Sequence, residues 1–200
     1  MNILGINSAY HESSACLIQD GRLVAAVEEG RFNRIKHGKP AQIDNPQELP
    51  VSSIRHCLEA GGISFAEVDH VGFAFDPKLR LGNLGREVVP HNGGWSGTEG
   101  EQRFQSLLAT VPDQLRTRLG MPSKTNFHWL NHHLCQAGSA YLVSPFPEAA
   151  ILTIDGIGEF ATTHAAVGTG NKIDALWEIN YPNSLGFLWE KMARLLGFGE

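Results

Sequence analysis

The segment NHHLCQAGSAYLVSPF (131–146) holds the residues whose types and spacing are best suited to chemistry. The spacing of its apolar residues predicts a helix over 132–143. Residues three or four apart on a helix lie on one face, so His132 and Gln136 point the same way, and Cys135 could join His132 as a soft metal ligand. On these residues alone the segment is a metal site, a catalytic centre, or an ordinary core helix with a buried histidine.

Two turns elsewhere in the chain carry polar residues that could act in a site. His11 follows the first predicted strand, and since an imidazole takes up a proton near neutral pH, His11 is either a general base or a surface histidine. Asp155 follows the apolar run AAILTI, where a carboxylate often faces a cleft, although it could instead cap the turn. Gly156 and Gly158 allow backbone N–H groups to approach an anion closely, but they also suit a plain hairpin turn.

The loop EEGRFNRIKHGKP (28–40) is rich in basic residues. Its cationic side chains are those of Arg31, Arg34, Lys36 and Lys39. Cations this close together could hold a phosphate or the polar groups of an acceptor. The alternative is a basic loop that is simply solvated.

Composition argues against several classes of protein. The chain has 200 residues, 42% of them hydrophobic, and a formal net charge of −5. No basic run occurs and no stretch approaches the ~20 apolar residues of a membrane span, so attraction to nucleic acid or membrane is not predicted. The N-terminus lacks the basic region of a secretory signal, and the three cysteines are odd in number and far apart. Both features favour a cytoplasmic protein with reduced thiols.

Apolar runs and turn residues predict the element order βββαβαβα followed by a second βββα. Strands are predicted over 2–7, 14–19, 22–32, 70–76, 126–130, 149–155, 160–168 and 173–180, helices over 50–62, 99–119 and 132–143 and at the end of the chain, and a loop over 82–98. The repeated three-strand meander predicts an α/β, ribonuclease H-like fold of the actin, hexokinase and Hsp70 type. Its first half is predicted over 1–148 and an incomplete second half over 149–200.

This fold predicts where a nucleotide would lie. In the superfold the phosphates contact the first turn of each meander, here residues 7–14 and 155–163. Ser13 is therefore predicted to bind substrate or nucleotide, together with Asp155 and the glycines that follow it. The chain is expected to be a fragment, because a further element should follow its last helix, and that helix is expected to expose apolar surface. Trp177, Phe187 and Trp189 are predicted to lie in the core.

Three long segments resemble one known family. They are ILGINSAYHESSACLIQDGRLVAAVEEGRFNRIKH, HHLCQAGSAYLVSPFPEAAILTIDGIGE and YPNSLGFLWEKMARLLGF, and they are similar, in order, to segments of the NodU/CmcH-type carbamoyltransferases. The resemblance implies an ATP-dependent O-carbamoyltransferase. Carbamoyl phosphate and ATP would give carbamoyl-adenylate in a C-terminal YrdC-like domain. The N-terminal domain, whose first half this chain resembles, would then transfer the carbamoyl group to a hydroxyl of a natural product, such as an antibiotic, or of a sugar.

The resemblance also implies roles for residues near the N-terminus. His11 matches the histidine of the family's HDASA motif and would be the base, with Glu12 where the family has aspartate. Lys36 and His37 lie in the most family-like part of the basic loop and would bind substrate or nucleotide.

A metal ion is implied at the predicted helix of 132–143. The family's HHLxH pattern binds its ion through the first and last histidines, which correspond to His132 and Gln136. Because an amide is a weaker ligand than an imidazole for Fe²⁺ or another divalent ion, we expect metal to bind feebly here or not at all. His133 points roughly 100° away from His132 and is expected to contact substrate or nucleotide instead.

Two other functions stay open. One is a sugar kinase-like phosphotransferase of the same superfold, but that chemistry needs an aspartate base, and the first turn offers a histidine. The other is a truncated or degenerate, non-catalytic fragment that binds nucleotide or a partner, which Gln136 favours. The sequence does not identify the acceptor or the oligomeric state.

Overall fold

A computed structural model describes residues 1–81 and 97–198 of the chain. The described residues form two compact units: unit 1 comprises 1–77 and 97–130, and unit 2 comprises 78–81 and 131–198. The division lies ahead of the helix at 132, whereas the boundary of the two ribonuclease H-like halves is predicted at 148. The two units are defined by compactness, whereas the two halves are predicted from a repeated order of elements. The boundary at 148 therefore stays a prediction.

Unit 1 is built on a five-stranded sheet. Its strands are β1 (Asn2–Asn7), β2 (Ser14–Gln19), β3 (Arg22–Glu28), β4 (His70–Phe73) and β5 (Asn126–Trp129), and its helices are α1 (Gly30–Asn33), α2 (Val51–Ala60), a 3₁₀ turn (Phe65–Glu67), α4 (Thr98–Leu108) and α5 (Val111–Leu119). A further helix, α3 (Pro77–Leu81), begins where unit 1 ends.

The strand order of this sheet is β3-β2-β1-β4-β5. The first three strands pair antiparallel, and β4 and β5 run parallel to β1. The predicted Asp20-Gly21 turn joins β2 and β3 with φ angles of 49° and 79°, the left-handed pair that a tight hairpin requires. An antiparallel meander extended by parallel strands is the predicted topology, and the ribonuclease H-like α/β fold class is confirmed.

Every second residue along the central strands is buried, and these residues form the core of unit 1. Leu4 and Ile6 of β1 face the same side of the sheet as Val71 and Phe73 of β4, and all four are almost completely buried. The core is completed by Leu17, Ile54, Cys57, Phe75, Phe104 and Leu108. This packing holds the ends of β1 and β2, and therefore the turn between them, in place.

Unit 2 contains α6 (His132–Tyr141), β6 (Glu148–Ile154), β7 (Ala161–Thr169), β8 (Lys172–Asn180) and α7 (Leu185–Leu195). Its three strands form an antiparallel sheet in the order β6-β7-β8, so the meander of unit 1 recurs here. Helix α6 packs on the sheet through Ala137 and Tyr141 against Ile151 and Ala166. Gly168 is required beneath Tyr141, because a Cβ there would overlap the ring.

Several predicted elements differ from those observed. The helix predicted over 99–119 is two helices, since Pro112 at the start of α5 has no N–H to continue α4. The strand predicted to reach residue 32 ends at Glu28 and is followed by α1, whose C-cap Arg34 has a left-handed φ of 62°. The short helices α1 and α3 and the 3₁₀ turn were not predicted. Most of the loop predicted over 82–98 lies outside the described residues.

The apolar surface expected on the last helix is present. Trp189 on α7 is 79% exposed and Trp177 on β8 is 52% exposed, so the prediction that both lie in the core is wrong. Phe187 is partly buried and its ring lies over Gly156.

Candidate functional site

Two groups of polar side chains carry the candidate chemistry, one in each unit. The first lies in unit 1. His11 and Glu12, on the β1–β2 turn, are exposed, and His37, on the basic loop, is half-buried. The rings of His11 and His37 lie 5.1 Å apart, and Oε1 of Glu12 is 4.0 Å from Nδ1 of His11 and 3.8 Å from Nδ1 of His37. The structure thus brings His11 and His37, two predicted site residues, together with Glu12, which follows His11 in the sequence.

Backbone hydrogen bonds hold these side chains on one surface. The N–H of Ser13 donates to the carbonyl of His37 at 3.0 Å, so the β1–β2 turn and the basic loop are joined directly. The Ser13 hydroxyl is buried and lies 2.9 Å from the hydroxyl of Ser8. Ser13 is therefore placed to support the turn, which differs from its predicted contact with substrate. Lys36, also predicted to bind, is exposed.

Lys39 differs from the other cations of the basic loop. It is only 3% exposed, and its ammonium group donates to the carbonyl of Asn45. Burial lowers the pKa of Lys39 to about 8, against the attraction of the Glu48 carboxylate. A solvated basic loop is thus the wrong description of Lys39, and its ammonium is engaged inside the protein rather than with a phosphate.

Glu29 anchors the basic loop, a role that the sequence did not reveal. Its buried carboxylate accepts hydrogen bonds from the backbone N–H groups of Ser52 and Ser53, at 3.1 and 2.8 Å, and from the Ser53 hydroxyl at 2.8 Å. Burial alone would raise the pKa of Glu29, but these hydrogen bonds bring it below its ordinary value. The carboxylate satisfies the free N–H groups at the start of α2. A glutamate just after a strand, with a helix start further on, was the available signal.

The second group lies in unit 2 and centres on Asp155. The Nε2 of His132 donates to Oδ2 of Asp155 at 2.9 Å. The amide nitrogen of Gln136 donates to the same oxygen at 2.6 Å and lies 3.1 Å from Nε2 of His132. The expected shared face of His132 and Gln136 is confirmed, and Asp155 meets both side chains. Burial alone would raise the pKa of Asp155, but the His132 hydrogen bond and charge, together with Gly156 and Gln136, hold it below its ordinary value.

Glu159 positions His132 and was also missed by sequence reasoning. Its side chain is 3% exposed and accepts from the backbone N–H of His132 at 2.9 Å and from the Asn131 amide at 3.1 Å. Asn131 is the N-cap of α6 and accepts from the N–H of Leu134 at 2.8 Å. The first turn of α6 is therefore held by two side chains. The apolar surroundings of Glu159 in the sequence gave no signal of this role.

His133 has a structural role, in contrast to its predicted contact with a ligand. It is completely buried, its Nε2 donates to the carbonyl of Ala161 at 2.9 Å, and its Nδ1 accepts from the Thr153 hydroxyl at 2.7 Å. Both ring nitrogens are thus used inside unit 2. Burial lowers the pKa of His133, with the Ala161 hydrogen bond opposing this in part.

This buried histidine predicts a pH dependence of stability. The unfolded chain takes up a proton at His133 near pH 6.5, whereas the folded chain takes it up only at lower pH, so the free energy of unfolding should fall as the pH is lowered from about 7 to 5. Urea denaturation at both pH values measures the change. In His133→Gln the dependence should be smaller. An equal dependence in the two proteins would show that His133 does not carry it.

The glycines of the Asp155 turn are close-packed, and their N–H groups are engaged. The N–H of Gly156 donates to Oδ1 of Asp155 at 2.6 Å, and the N–H of Gly158 donates to the carbonyl of Ala161 at 2.8 Å. A Cβ on Gly158 would lie 3.0 Å from Cδ2 of His133. Gly158 lets the turn approach α6, and Gly156 lets it approach Phe187 of α7. The prediction that their N–H groups cradle an anion is not what this conformation shows.

Ser184 fixes the same turn from the start of α7. Its hydroxyl donates to the carbonyl of Gly156 at 2.7 Å and accepts from the N–H of Phe187 at 3.1 Å, so Ser184 is the N-cap of α7. Ser184→Ala should lower the free energy of unfolding by about 1 kcal/mol. Ser139→Ala, at an exposed position on α6, should change it by less than about 0.5 kcal/mol. Chemical denaturation of both variants tests this, and equal effects would rule out a cap of this strength.

The donors of the second group suit a divalent ion in part. One imidazole and one carboxylate converge, and a 180° rotation of the Gln136 amide would present its oxygen at the same place with no other movement. His132, Asp155 and Gln136 could therefore hold an ion through three side chains, one of them a weak ligand.

No helix among residues 1–81 and 97–198 combines the length and the apolar character needed to cross a membrane.

The chain is similar in sequence to known proteins. A family model described as "Carbamoyltransferase N-terminus" matches residues 2–79 and 100–200. An uncharacterized protein, sll1178, of Synechocystis is 36% identical over 98% of this chain and 32% of its own length. Nodulation protein NolNO of Sinorhizobium fredii is 34% identical over 96% of this chain and 26% of its own length.

The chain thus spans between a quarter and a third of the length of these two relatives. Among solved structures, YeaZ from Pseudomonas aeruginosa aligns with a TM-score of 0.46 and 14% identity, over 90% of this chain and 67% of that one.

Proposed function

Because the chain belongs to the family of carbamoyltransferase N-terminal regions, we propose that it is part of the transfer region of an ATP-dependent O-carbamoyltransferase. The donor would be carbamoyl-adenylate, made from carbamoyl phosphate and ATP. The acceptor would be a hydroxyl group of a natural product or sugar. The match over almost the whole described chain is the observation that carries this proposal.

The group at the β1–β2 turn supports a role in removing the acceptor's proton. In the transfer, the hydroxyl oxygen attacks the carbamoyl carbon, the bond from that carbon to the phosphate oxygen breaks, and AMP leaves. The hydroxyl proton must go to a base. His11 is accessible and can accept it, and Glu12 beside it would stabilise the imidazolium that forms. His37 and Lys36 lie together on the basic loop and would contact the donor or acceptor.

The group around Asp155 supports a weak metal site in unit 2. His132, Asp155 and Gln136 would hold the ion, Fe²⁺ or another divalent metal. When bound, such an ion would act as a Lewis acid toward an oxygen of the donor. Glu159 keeps His132 in position, and the Asp155 carboxylate is ionised at neutral pH because its pKa is low.

The metal proposal predicts partial occupancy. Purified protein should carry clearly less than one iron per chain, because an amide replaces an imidazole ligand. Gln136→His should raise the occupancy, since it adds an i,i+4 imidazole to His132. Elemental analysis of the protein and of the Gln136→His and Gln136→Ala variants measures this. Full occupancy in the unchanged protein would mean that another ligand compensates for Gln136.

An acceptor panel tests the proposed function. The protein is incubated with preformed carbamoyl-adenylate, or with ATP, and a set of sugars and hydroxylated natural products, and the products are identified by mass spectrometry. Carbamoylated products support the proposal. Phosphorylated products would instead identify a kinase-like phosphotransferase. An absence of both, with the protein shown to be folded, would favour a non-catalytic fragment.

A further inference from the structure

The His11, Glu12 and His37 group of unit 1 has the composition of a metal site. Two imidazoles and one carboxylate are the protein ligands of open Zn²⁺ sites and of the facial Fe(II) sites, which leave positions for water. We propose that these three side chains bind a divalent transition-metal ion, with Zn²⁺ as the best match. The proposal concerns unit 1, and it is independent of the ion proposed at His132.

The distances between the ligand atoms suit such an ion after a small adjustment. One ligand atom from each side chain lies within 4.8 Å of the other two. Oε1 of Glu12 is 4.0 Å from Nδ1 of His11 and 3.8 Å from Nδ1 of His37. With Zn²⁺ at its usual distance from nitrogen and oxygen, tetrahedral ligand atoms are about 3.3 Å apart. Each pair of ligand atoms must therefore approach by about 0.5 to 1.5 Å, which side-chain rotations of these accessible residues can supply.

The backbone holds the three side chains together before any ion binds. Glu12 and His37 have φ angles of 59° and 61°, a left-handed conformation that few residues other than glycine adopt. The Ser13-to-His37 hydrogen bond links the two turns at 3.0 Å. A Cβ on Gly38 would lie 3.0 Å from Cβ of Ser13 and 3.1 Å from Cβ of Glu29, so the turns are also close-packed. Two uncommon conformations at neighbouring ligands indicate that the arrangement is maintained by the fold.

Other histidine pairs in the described part of the chain offer fewer donors. His70 and His128 lie 3.0 Å apart through their ring nitrogens, and His132 lies beside the Asp155 carboxylate and the Gln136 amide. Within residues 1–81 and 97–198, the group at His11 is the one place where three His, Cys, Asp or Glu side chains converge in this way. A net charge of −1 on the ligands, from Glu12, favours a cation.

Metal binding at this site would compete with the proposed base. A nitrogen of His11 that coordinates an ion cannot also accept a proton, so occupancy would inhibit carbamoyl transfer. This consequence rests on the proposed function, whereas the binding itself does not.

Zinc titration in a background that lacks the second site tests the proposal. Zn²⁺ is titrated calorimetrically into His132→Ala protein, and into the same protein carrying Glu12→Gln, His37→Ala or His70→Ala. Glu12→Gln keeps the shape of the side chain and removes its charge. His70→Ala is the matched control, because it removes a partly exposed histidine of unit 1 outside the group. Circular dichroism confirms that every variant is folded.

We expect one zinc ion per chain in the His132→Ala protein. Glu12→Gln and His37→Ala should each weaken binding by at least about tenfold, since even groups that only support metal ligands contribute that much. His70→Ala should leave the affinity unchanged. The proposal is overturned if the His132→Ala protein binds no zinc, if neither Glu12→Gln nor His37→Ala weakens binding, or if His70→Ala weakens it equally.

Discussion

Replacing His11 with alanine should lower the rate of carbamoyl transfer by about 10²- to 10⁴-fold, which is the usual contribution of a positioned general base. The hydroxyl of the acceptor loses its proton as it attacks, and the other imidazole of this group, His37, is proposed to bind donor or acceptor rather than to take that proton. In protein that also contains the YrdC-like domain, formation of carbamoyl-adenylate should continue at the normal rate, because the resemblance assigns that step to that domain. The two steps are measured separately, as carbamoylated product and as pyrophosphate release.

Two variants sharpen the His11 test. His70→Ala changes a partly exposed histidine on β4 and should leave both rates unchanged. His37→Ala should lower transfer less than His11→Ala, since His37 is proposed to bind rather than to take the proton. Transfer by His11→Ala at nearly the normal rate would exclude His11 as the base. An equal loss of both steps would instead indicate a general defect in folding or nucleotide binding.

Replacing Glu159 with alanine should lower the free energy of unfolding by about 2–3 kcal/mol. The substitution leaves the N–H of His132 and the amide of Asn131 without their acceptor at a partly buried helix start. Glu159→Gln should cost less, because its amide oxygen can still accept one of these bonds. Urea denaturation at neutral pH gives both values.

The same variant should also affect the proposed metal site. A displaced first turn of α6 moves His132, so Glu159→Ala should reduce the metal occupancy gained by Gln136→His. Glu178→Ala, at an exposed position on β8, is the control and should change stability by less than about 0.5 kcal/mol. If Glu159→Ala is as mild as this control, the carboxylate does not hold the helix.

The fold followed from short-range patterns of the sequence. Alternating apolar residues in β1, the Asp20-Gly21 turn and the i,i+4 spacing of α6 are local signals, and each gave the element that the structure shows. The failures were also local in origin. The break before Pro112 and the left-handed cap at Arg34 end elements at points where apolar periodicity alone continues.

The site was predicted less completely, because its members act through partners distant in sequence. His132 and Gln136 could be placed on one face, but their meeting with Asp155 depends on how β6 packs beside α6. Spacing could not distinguish the completely buried His133 from its partly buried neighbour His132. Glu29 and Glu159 cap helices from other segments, and the spacing of residues along the chain does not specify such contacts.

The most direct test of the central proposal supplies preformed carbamoyl-adenylate to the purified protein, together with a hydroxyl acceptor identified from the panel. The yield of the carbamoyl ester is followed over time, with and without protein. We expect the protein to accelerate ester formation, and we expect His11→Ala to remove nearly all of that acceleration. Ester formation at the same rate with and without folded protein would contradict the assignment of carbamoyl transfer to this chain.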